Sequence, residues 1–453
     1  MKVCRKEKAE IAVKLRTSSQ SGNVLVVSLV MASIIGVVLM SYLSLTSSQN
    51  VAITRSQSWN STVPVIEAGV EEALTHLYHN AQGDLTANGW SQVDGATVGG
   101  VTLTGTQYKK ERQIGEARYV VTISPPAAGT PVIYAEGLVP KPLSTNYLSR
   151  VVRVTTKRDG LFTRGLVAKG QITMNGNNVT VDSFDSADAA YSTGGQYDVS
   201  KRKANGDVAT DSGLVNSLSQ GNADIYGHVS TGPGGSIQVG VNGSAGDLAW
   251  VNGGNNGIEP GWSSSDMNVS FPDVQQPFTS APAPATGSGA YNSYQYVISS
   301  SGNWEISGLA GSLLVRSNVN AVLLVTGPIS QTGHDEIRIE PGGSLNLYMA
   351  GASASISGNG VVNQGGNATN FMYWGLPTNT QLKVAGNGSF KGVIYAPEAS
   401  LEMKGGGSSS EDVVGAAVAG TVTMTGNFNF HYDENLARVG PPRAYVVASW
   451  NEL

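Results

Sequence analysis

Residues 24–45 read VLVVSLVMASIIGVVLMSYLSL, a run without a single charge, and it constrains everything after it. A helix of that length rises about 33 Å, enough to cross the hydrocarbon core of a bilayer. Its serines, Ser28, Ser33, Ser41 and Ser44, can bond back to the helix's own carbonyls and so do not break it. The flank before it carries Lys2, Arg5, Lys6, Lys8, Lys14 and Arg16 against only Glu7 and Glu10. That imbalance keeps a short N-terminus in the cytoplasm and exports the chain beyond Thr46. The expectation is a single-pass protein of the inner (cytoplasmic) membrane, N-terminus in, with the bulk of the chain extracytoplasmic or at the cell surface. The alternative is a cleaved signal peptide. It needs a shorter apolar region and an A-x-A-like site, and no such site comes after the run.

At 453 residues the chain has room for two or three domains. Its 57 glycines and 13% charged residues disfavour long helices, while 40% apolar residues in short runs exclude a disordered chain. A net charge of −5 leaves no electrostatic footprint for nucleic acid. Cys4 is the single cysteine and precedes the apolar run, so the exported part forms no disulfide. Packing and hydrogen bonds must hold it.

Beyond the membrane run, Ile53, Trp59, Val63, Ile66, Val70, Leu74 and Leu77 recur at helical spacing, so the helix continues, with Pro64 expected to kink it or start a second one. Glu67, Glu71 and Glu72, and the i, i+3 pair His76/His79, read as a solvated face, because nothing in the local sequence pairs with them. The basic tail, Gly22, the apolar helix and the stretch from Trp59 through IEAGVEEALTHL resemble the N-terminus of PilX-type type IV pilus assembly proteins, which are minor-pilin-like. The resemblance covers residues 22–79 and implies prepilin processing between Gly22 and Asn23. Two departures stand out: Asn23 replaces the usual Phe or Met, and Val27 stands where major pilins carry a glutamate. Pilus or pseudopilus subunits are the partners this resemblance implies, besides the membrane.

From residue 99 to 157 the period becomes two. GVTLTGTQYKK, ARYVVTISPP, TPVIYAEGLVP and LSRVVRVTTKR read as four strands of a small antiparallel sheet. After residue 159 a different signal recurs: QITMNGN at 171, ASISGNG at 354, LKVAGNG at 382, LEMKGGG at 401 and VTMTGNF at 422. Gly358, Gly386, Gly405 and Gly426 mark the endings of the last four. Their period near 20, with short strands, predicts a β-solenoid, right-handed β-helix-like, whose inward Val, Ile, Leu and Met stack as one core and whose corners take Gly or Asn. A β-sandwich is the competing architecture; it explains the short strands but not the recurring end. The fold class is thus mainly β: a transmembrane, pilin-like helix with a small antiparallel sheet, then the solenoid. The boundaries are a leader at 1–22, the helix-and-sheet module at 23–158, and the solenoid at 159–453 with a Gly/Ser/Pro-rich insertion near 253–289.

Three segments, LFTRGLVAKGQITMNGNNVTVDSFDS near 161, FKGVIYAPEASLEMKGGG near 390 and VTMTGNFNFHYDENL before the terminal VVASWNEL, resemble a domain of unassigned function found in bacterial envelope proteins, often behind a PilX-type N-terminus. The likeness implies architecture and context, not chemistry. H-E-x-x-H, G-x-S-x-G and the Walker lysine loop are absent from the sequence. The acidic candidate is Asp182, Asp185 and Asp188 in DSFDSAD, with Asp207 and Asp211 further on. Acids at a coil rim can bind Ca²⁺ or act on sugars, or they can simply cap backbone N–H groups at a corner, and the corner is the reading taken. His431 and Asp433 in FHYD read as an end-cap. We therefore assign no catalytic, cofactor or metal residue. The function expected is a non-enzymatic envelope protein taking part in pilus-like assembly or surface adhesion, with surface glycans as possible contacts. The alternative is a tethered carbohydrate-active β-helix enzyme, which needs acids and basic residues on one face of neighbouring coils.

Overall fold

The computed structural model describes residues 21–79, 85–124, 130–141, 144–176, 178–386, 389–405 and 413–453. The chain forms two compact units, Met1–Thr156 with Val447–Leu453, and Lys157–Val446. The division falls two residues before the expected 158/159 boundary. The final strand is the larger difference: residues 447–453 were expected in the second unit and belong to the first.

In the first unit one helix, Ser21–His79, runs 59 residues without a break, with Pro64 inside it. No second helix starts at Pro64. A proline removes one helical hydrogen bond, and tertiary packing on both sides of residue 64 offsets that loss: Thr62, Val65, Ile66, Val70, Ala73 and Leu77 are all buried. These residues recur every three or four positions, the spacing of one helix face. Residues 24–45, by contrast, are exposed almost throughout, and by length and composition this part of the helix is able to cross a membrane.

The buried face lies on a six-stranded sheet ordered Ser91–Asp94, Thr106–Ile114, Ala117–Ile123, Val132–Pro140, Tyr147–Gly160, Pro442–Glu452. The first four pairings are antiparallel. Two glycines permit the close approach. A Cβ on Gly69 would stand 2.6 Å from Val121 Cγ2, and one on Gly137 would stand 2.7 Å from Ile66 Cγ1 and 2.9 Å from the Thr62 carbonyl oxygen. The last strand is tied in by Arg150, which donates from Nε to Glu452 at 2.7 Å, and by the Leu453 N–H, which donates to the Val151 carbonyl at 3.0 Å.

Glu72 does not sit on a solvated face. It accepts from the Tyr119 hydroxyl and pairs with Lys110 at 3.0 Å and Arg112 at 3.2 Å. All three partners come from the sheet, beyond the reach of a local sequence argument. Burial alone would raise the Glu72 carboxyl, but Tyr119, Lys110 and Arg112 outweigh it and hold it below the ordinary value. Burial and the Glu72 carboxylate push the Tyr119 hydroxyl up to about 12. His76 is likewise engaged: its Nδ1 accepts from Trp90 Nε1 at 2.8 Å. The side chain of His79 lies outside the described residues.

Among the described residues the second unit is a 26-stranded sheet coiled into three ladders of parallel pairs, with one short antiparallel pairing between Ala285–Thr286 and Tyr294–Ile298. Leu313 pairs with Ile337, and Ile337 in turn with Val361. The chain therefore returns to the same ladder once per coil. All five recurring motifs fall in one ladder, which runs Ser353–Ile356, Gln381–Gly386, 400–405, 421–425 and Ile172–Met174. Their apolar pairs, Ala354/Ile356, Leu382/Val384, Leu401/Met403, Val422/Met424 and Ile172/Met174, share one core. Two of the marked glycines, Gly358 and Gly426, adopt positive φ (76° and 81°). Gly405 answers to a different need: a Cβ there would meet the Asn427 carbonyl oxygen of the next coil at 1.8 Å.

The order of coils departs from the order of the chain. Asn178–Phe184, from the first coil, pairs on one side with Asn427–Asp433, the last strand of the stack, and on the other with Asp224–Tyr226. Strands up to Ser263–Ser264 build outward from that join. The chain then crosses to the far end and stacks back from Tyr294–Ile298. The crossing segment, expected as loop or linker, is irregular in backbone and packs as a strap. Met267 and Val274 are buried, Val269 and Phe271 lie on the core, and the Pro272 carbonyl accepts from the Tyr395 hydroxyl at 2.8 Å. Farther on, Glu305 Oε2 accepts from the Ala281 N–H at 3.1 Å. Part of 253–289 also pairs as strand, with Ser244 opposite Gly257.

The helix-to-sheet seam generates two expected outcomes. Gly137→Ala destabilises the first unit by about 1–3 kcal/mol through overpacking, and combined with Ile66→Ala the two losses are less than additive; thermal melts of the purified chain check this. Glu72→Gln costs about 1–3 kcal/mol, and in the parent chain this contribution is present above the ordinary carboxyl value of 4.5 and fades as pH falls through the lowered folded value. If the pH profile of the Glu72→Gln melt parallels that of the parent below pH 5, the assignment is wrong.

Candidate functional site

Asp182 and His431 stand opposite one another in the parallel pairing that joins the first coil to the last. Their neighbours Val181 and Phe430 point into the apolar core, so alternation turns Asp182 and His431 outward. Neither reaches solvent: Asp182 is 0% exposed and His431 2%. The segment 185–205 folds over them. Tyr197 stacks on the His431 ring, centroids 3.6 Å apart and planes at 20°, and its hydroxyl donates to Asp182 Oδ2 at 2.7 Å. His431 Nδ1 shares a hydrogen bond with Asp182 Oδ1.

Further ties surround this core. Arg438 donates to Asp185 Oδ1 at 2.5 Å, and the Ala187 N–H donates to the same oxygen at 3.1 Å. Lys203 pairs with Glu434, which also accepts from Ser183 Oγ at 2.9 Å and Asn205 Nδ2 at 2.8 Å. Asp433 accepts from the N–H groups of Ser186 and Asn435 at 3.0 and 3.1 Å. Burial raises the Asp433 carboxyl above its ordinary value despite those bonds. To one side, Arg202 lies over the Tyr226 ring at 4.0 Å and donates to the Tyr226 hydroxyl and to Asn252.

The structure thus separates the acidic candidates. Asp182 and Asp185 join a network that ties residues 182–205 to 431–438. Asp188 caps its own turn, its Oδ1 accepting from the Ala190 N–H at 2.8 Å. Asp207 accepts from the His228 N–H at 2.8 Å, and Asp211 from the Val269 N–H at 3.2 Å, so both hold backbone. His431 has Asp182, the residue facing it on the neighbouring strand, as a partner. Sequence reasoning named both members of the pair without bringing them together, because 249 residues separate them. The FHYD and DSFDS motifs carry a usable signal only once the strands are known to be neighbours.

Such a carboxylate–imidazole–phenol group can hold or pass a proton, but general acid–base catalysis needs a reacting group within about 3 Å. Tyr197 covers the imidazole face and both carboxylate oxygens of Asp182 are engaged. The arrangement suits a latch between coils. Among the described residues no three His, Cys, Asp or Glu side chains converge as a metal site would require.

A second feature of this unit is open. On the motif-bearing ladder the outward positions Ser330, Ser355, Lys383, Glu402 and Thr423 stand in register and are half-buried or exposed. Part of this surface forms a shallow trough of about 410 Å³.

A family model described as a domain of unknown function (DUF7305) matches residues 309–439. No curated protein matches the chain. Among solved structures, the competence-associated pilin ComZ from Thermus thermophilus aligns with 88% of this chain and 97% of its own at 10% identity and a TM-score of 0.26. The DUF3494 domain of ice-binding protein 1 from Shewanella frigidimarina aligns with 60% of this chain and 94% of its own at 11% identity and a TM-score of 0.22. At these scores neither likeness bears on the function.

The latch predicts a graded response. Asp182→Ala removes the carboxylate that His431 and Tyr197 share and costs about 2–6 kcal/mol, whereas Asp188→Ala costs about 1 kcal/mol or less. Urea unfolding of the two variants, read by tryptophan fluorescence, gives the comparison. Equal losses would remove the distinction drawn between the two aspartates.

Proposed function

We propose that this chain is a non-enzymatic, membrane-anchored, pilin-like envelope protein. Its N-terminus is cytoplasmic, and its coiled β unit serves pilus-like assembly or surface adhesion. One observation carries the reading: the helix Ser21–His79 is exposed and uncharged over residues 24–45, then buries one face against an antiparallel sheet from Thr62 to Leu77. A single rigid element therefore serves two environments, lipid first and protein second. A cleaved signal peptide has no reason to be continuous with a helix whose far end is built into a folded unit.

The PilX-type reading adds processing between Gly22 and Asn23 and contact with other filament subunits. Support for a non-enzymatic role comes from the sealed state of Asp182 and His431. The open ladder face, with hydroxyls and one charge of each sign, suits display and contact with polar surfaces such as glycans better than turnover. Glycan degradation by the purified exported region, abolished when Asp182, Asp185 and Asp188 are all changed to Asn without loss of fold, would replace this reading with the tethered-enzyme one.

Co-expression with a prepilin peptidase tests the anchor directly. N-terminal sequencing of the mature chain is expected to begin at Asn23. A start well after Leu45 would sink the pilin-like reading. Reporter fusions placed after residue 80 are expected to be active only outside the cytoplasm.

A further inference from the structure

Where the apolar run ends, the helix and Lys141, just past the strand Val132–Pro140, flank an open groove of about 740 Å³ within the first unit. Its lower end is apolar, with Leu43 and Val51, and its upper end carries Arg55 and Lys141. Neither cation has an ion-pair partner among the described residues. The Thr54 hydroxyl is turned back onto the Asn50 carbonyl at 2.7 Å, which leaves the polar capacity of the upper end to the Asn50 amide and the two cations. Lys141 is held in place by its own N–H, which donates to the Asn146 carbonyl at 2.8 Å.

We propose that this groove holds an anionic membrane lipid, its acyl chain along Leu43 and Val51 and its phosphate between Arg55 and Lys141. The inference rests on the reading of residues 24–45 as a membrane span. Height agrees with it. Arg55 lies ten residues past Leu45, about 15 Å of helix rise. Helical side chains lean back toward the N-terminus by about one turn, which lowers the guanidinium toward the headgroup layer. Charge agrees too. From residue 21 to residue 66 the chain has no Asp or Glu, so the same stretch of a second copy offers these cations no counter-charge. A phosphate does, and a fork of Arg and Lys matches its geometry.

The test uses the full chain reconstituted in vesicles of phosphatidylcholine alone and of phosphatidylcholine with phosphatidylglycerol. Lipid retained after detergent extraction is then counted by native mass spectrometry. Phosphatidylglycerol is expected to be retained over phosphatidylcholine, and Arg55→Gln and Lys141→Gln each to reduce that retention about fivefold. Both changes sit on the surface, and near-parent melts verify that the variants fold. Insertion with equal retention of the two lipids, or variants that retain phosphatidylglycerol as the parent does, overturns the lipid site and leaves the membrane span standing. Failure to enter either vesicle overturns the span and the lipid site together. Disulfide capture between two copies through Thr54→Cys, with no lipid retained by the parent chain, gives the groove to a second copy and overturns the proposal.

Discussion

The larger unit depends on the seating of its first coil against its last, and above all on the pairing of Asn178–Phe184 with Asn427–Asp433. Every other coil stacks on a neighbour close in sequence, so its loop-closure cost is small. This one joins the beginning of the unit to its end, and two sub-stacks, 208–264 and 294–433, meet across the first coil. Parallel strands contribute slightly less per residue than antiparallel ones, and a contact between segments so distant in the chain forms late and slowly. The seam is therefore where additional binding is needed, and it is where Asp182, His431, Tyr197, Asp185, Arg438, Lys203 and Glu434 gather. Buried polar groups of this kind stabilise only when fully satisfied. Satisfying them requires the two strands in one register, so the network selects that register as well as holding it.

Parallel sheets require cover on both faces. The inner faces of the three ladders cover one another. Outside, the strap 265–284 lies over one ladder, bringing Met267, Phe271 and Val274 onto it, and the segment 185–205 lies over the Asp182–His431 side of another. The motif-bearing ladder solves the problem by composition. Its outward positions are Ser, Thr, Lys, Glu and Gln, which need no cover. A surface left polar and open by the fold is one on which contact with an outside partner leaves the core undisturbed.

The first unit has its own constraint, a helix whose first part is long and apolar enough to cross a membrane and whose second part packs on a sheet. The sheet-facing part is fixed by steric fit at Gly69 and Gly137 and by the Glu72 cluster. Glu72 is bound most firmly between the ordinary carboxyl range and the raised range of Tyr119, so the seam holds across neutral pH. Because the sheet ends in Pro442–Glu452, the C-terminal residues complete a unit that the N-terminal residues began.

The apolar length of residues 24–45, the period-two strands between 106 and 160 and the five φ-x-φ-x-G endings were all legible in the sequence, because each is a local pattern with its own period. They determined a membrane-length helix, a small antiparallel sheet and a mainly β remainder, and the endings fall on one ladder in register. Pro64 leaves the helix continuous, because packing on the sheet offsets the hydrogen bond that a proline removes. Glu72 and His76 appeared solvated because Lys110, Arg112, Tyr119 and Trp90 reach them from other elements. Residues 265–284 read as loop or linker and are irregular in backbone; their packing was not legible, because Pro, Ser and Gly mark irregular backbone whether or not it is packed. The place of the first coil next to the last, the meeting of Asp182 with His431 and the return of residues 447–453 to the first sheet were decided by tertiary structure alone. Pairing between strands hundreds of positions apart leaves no trace in any local period; it is fixed only when the complementary edges, faces and charges are brought together.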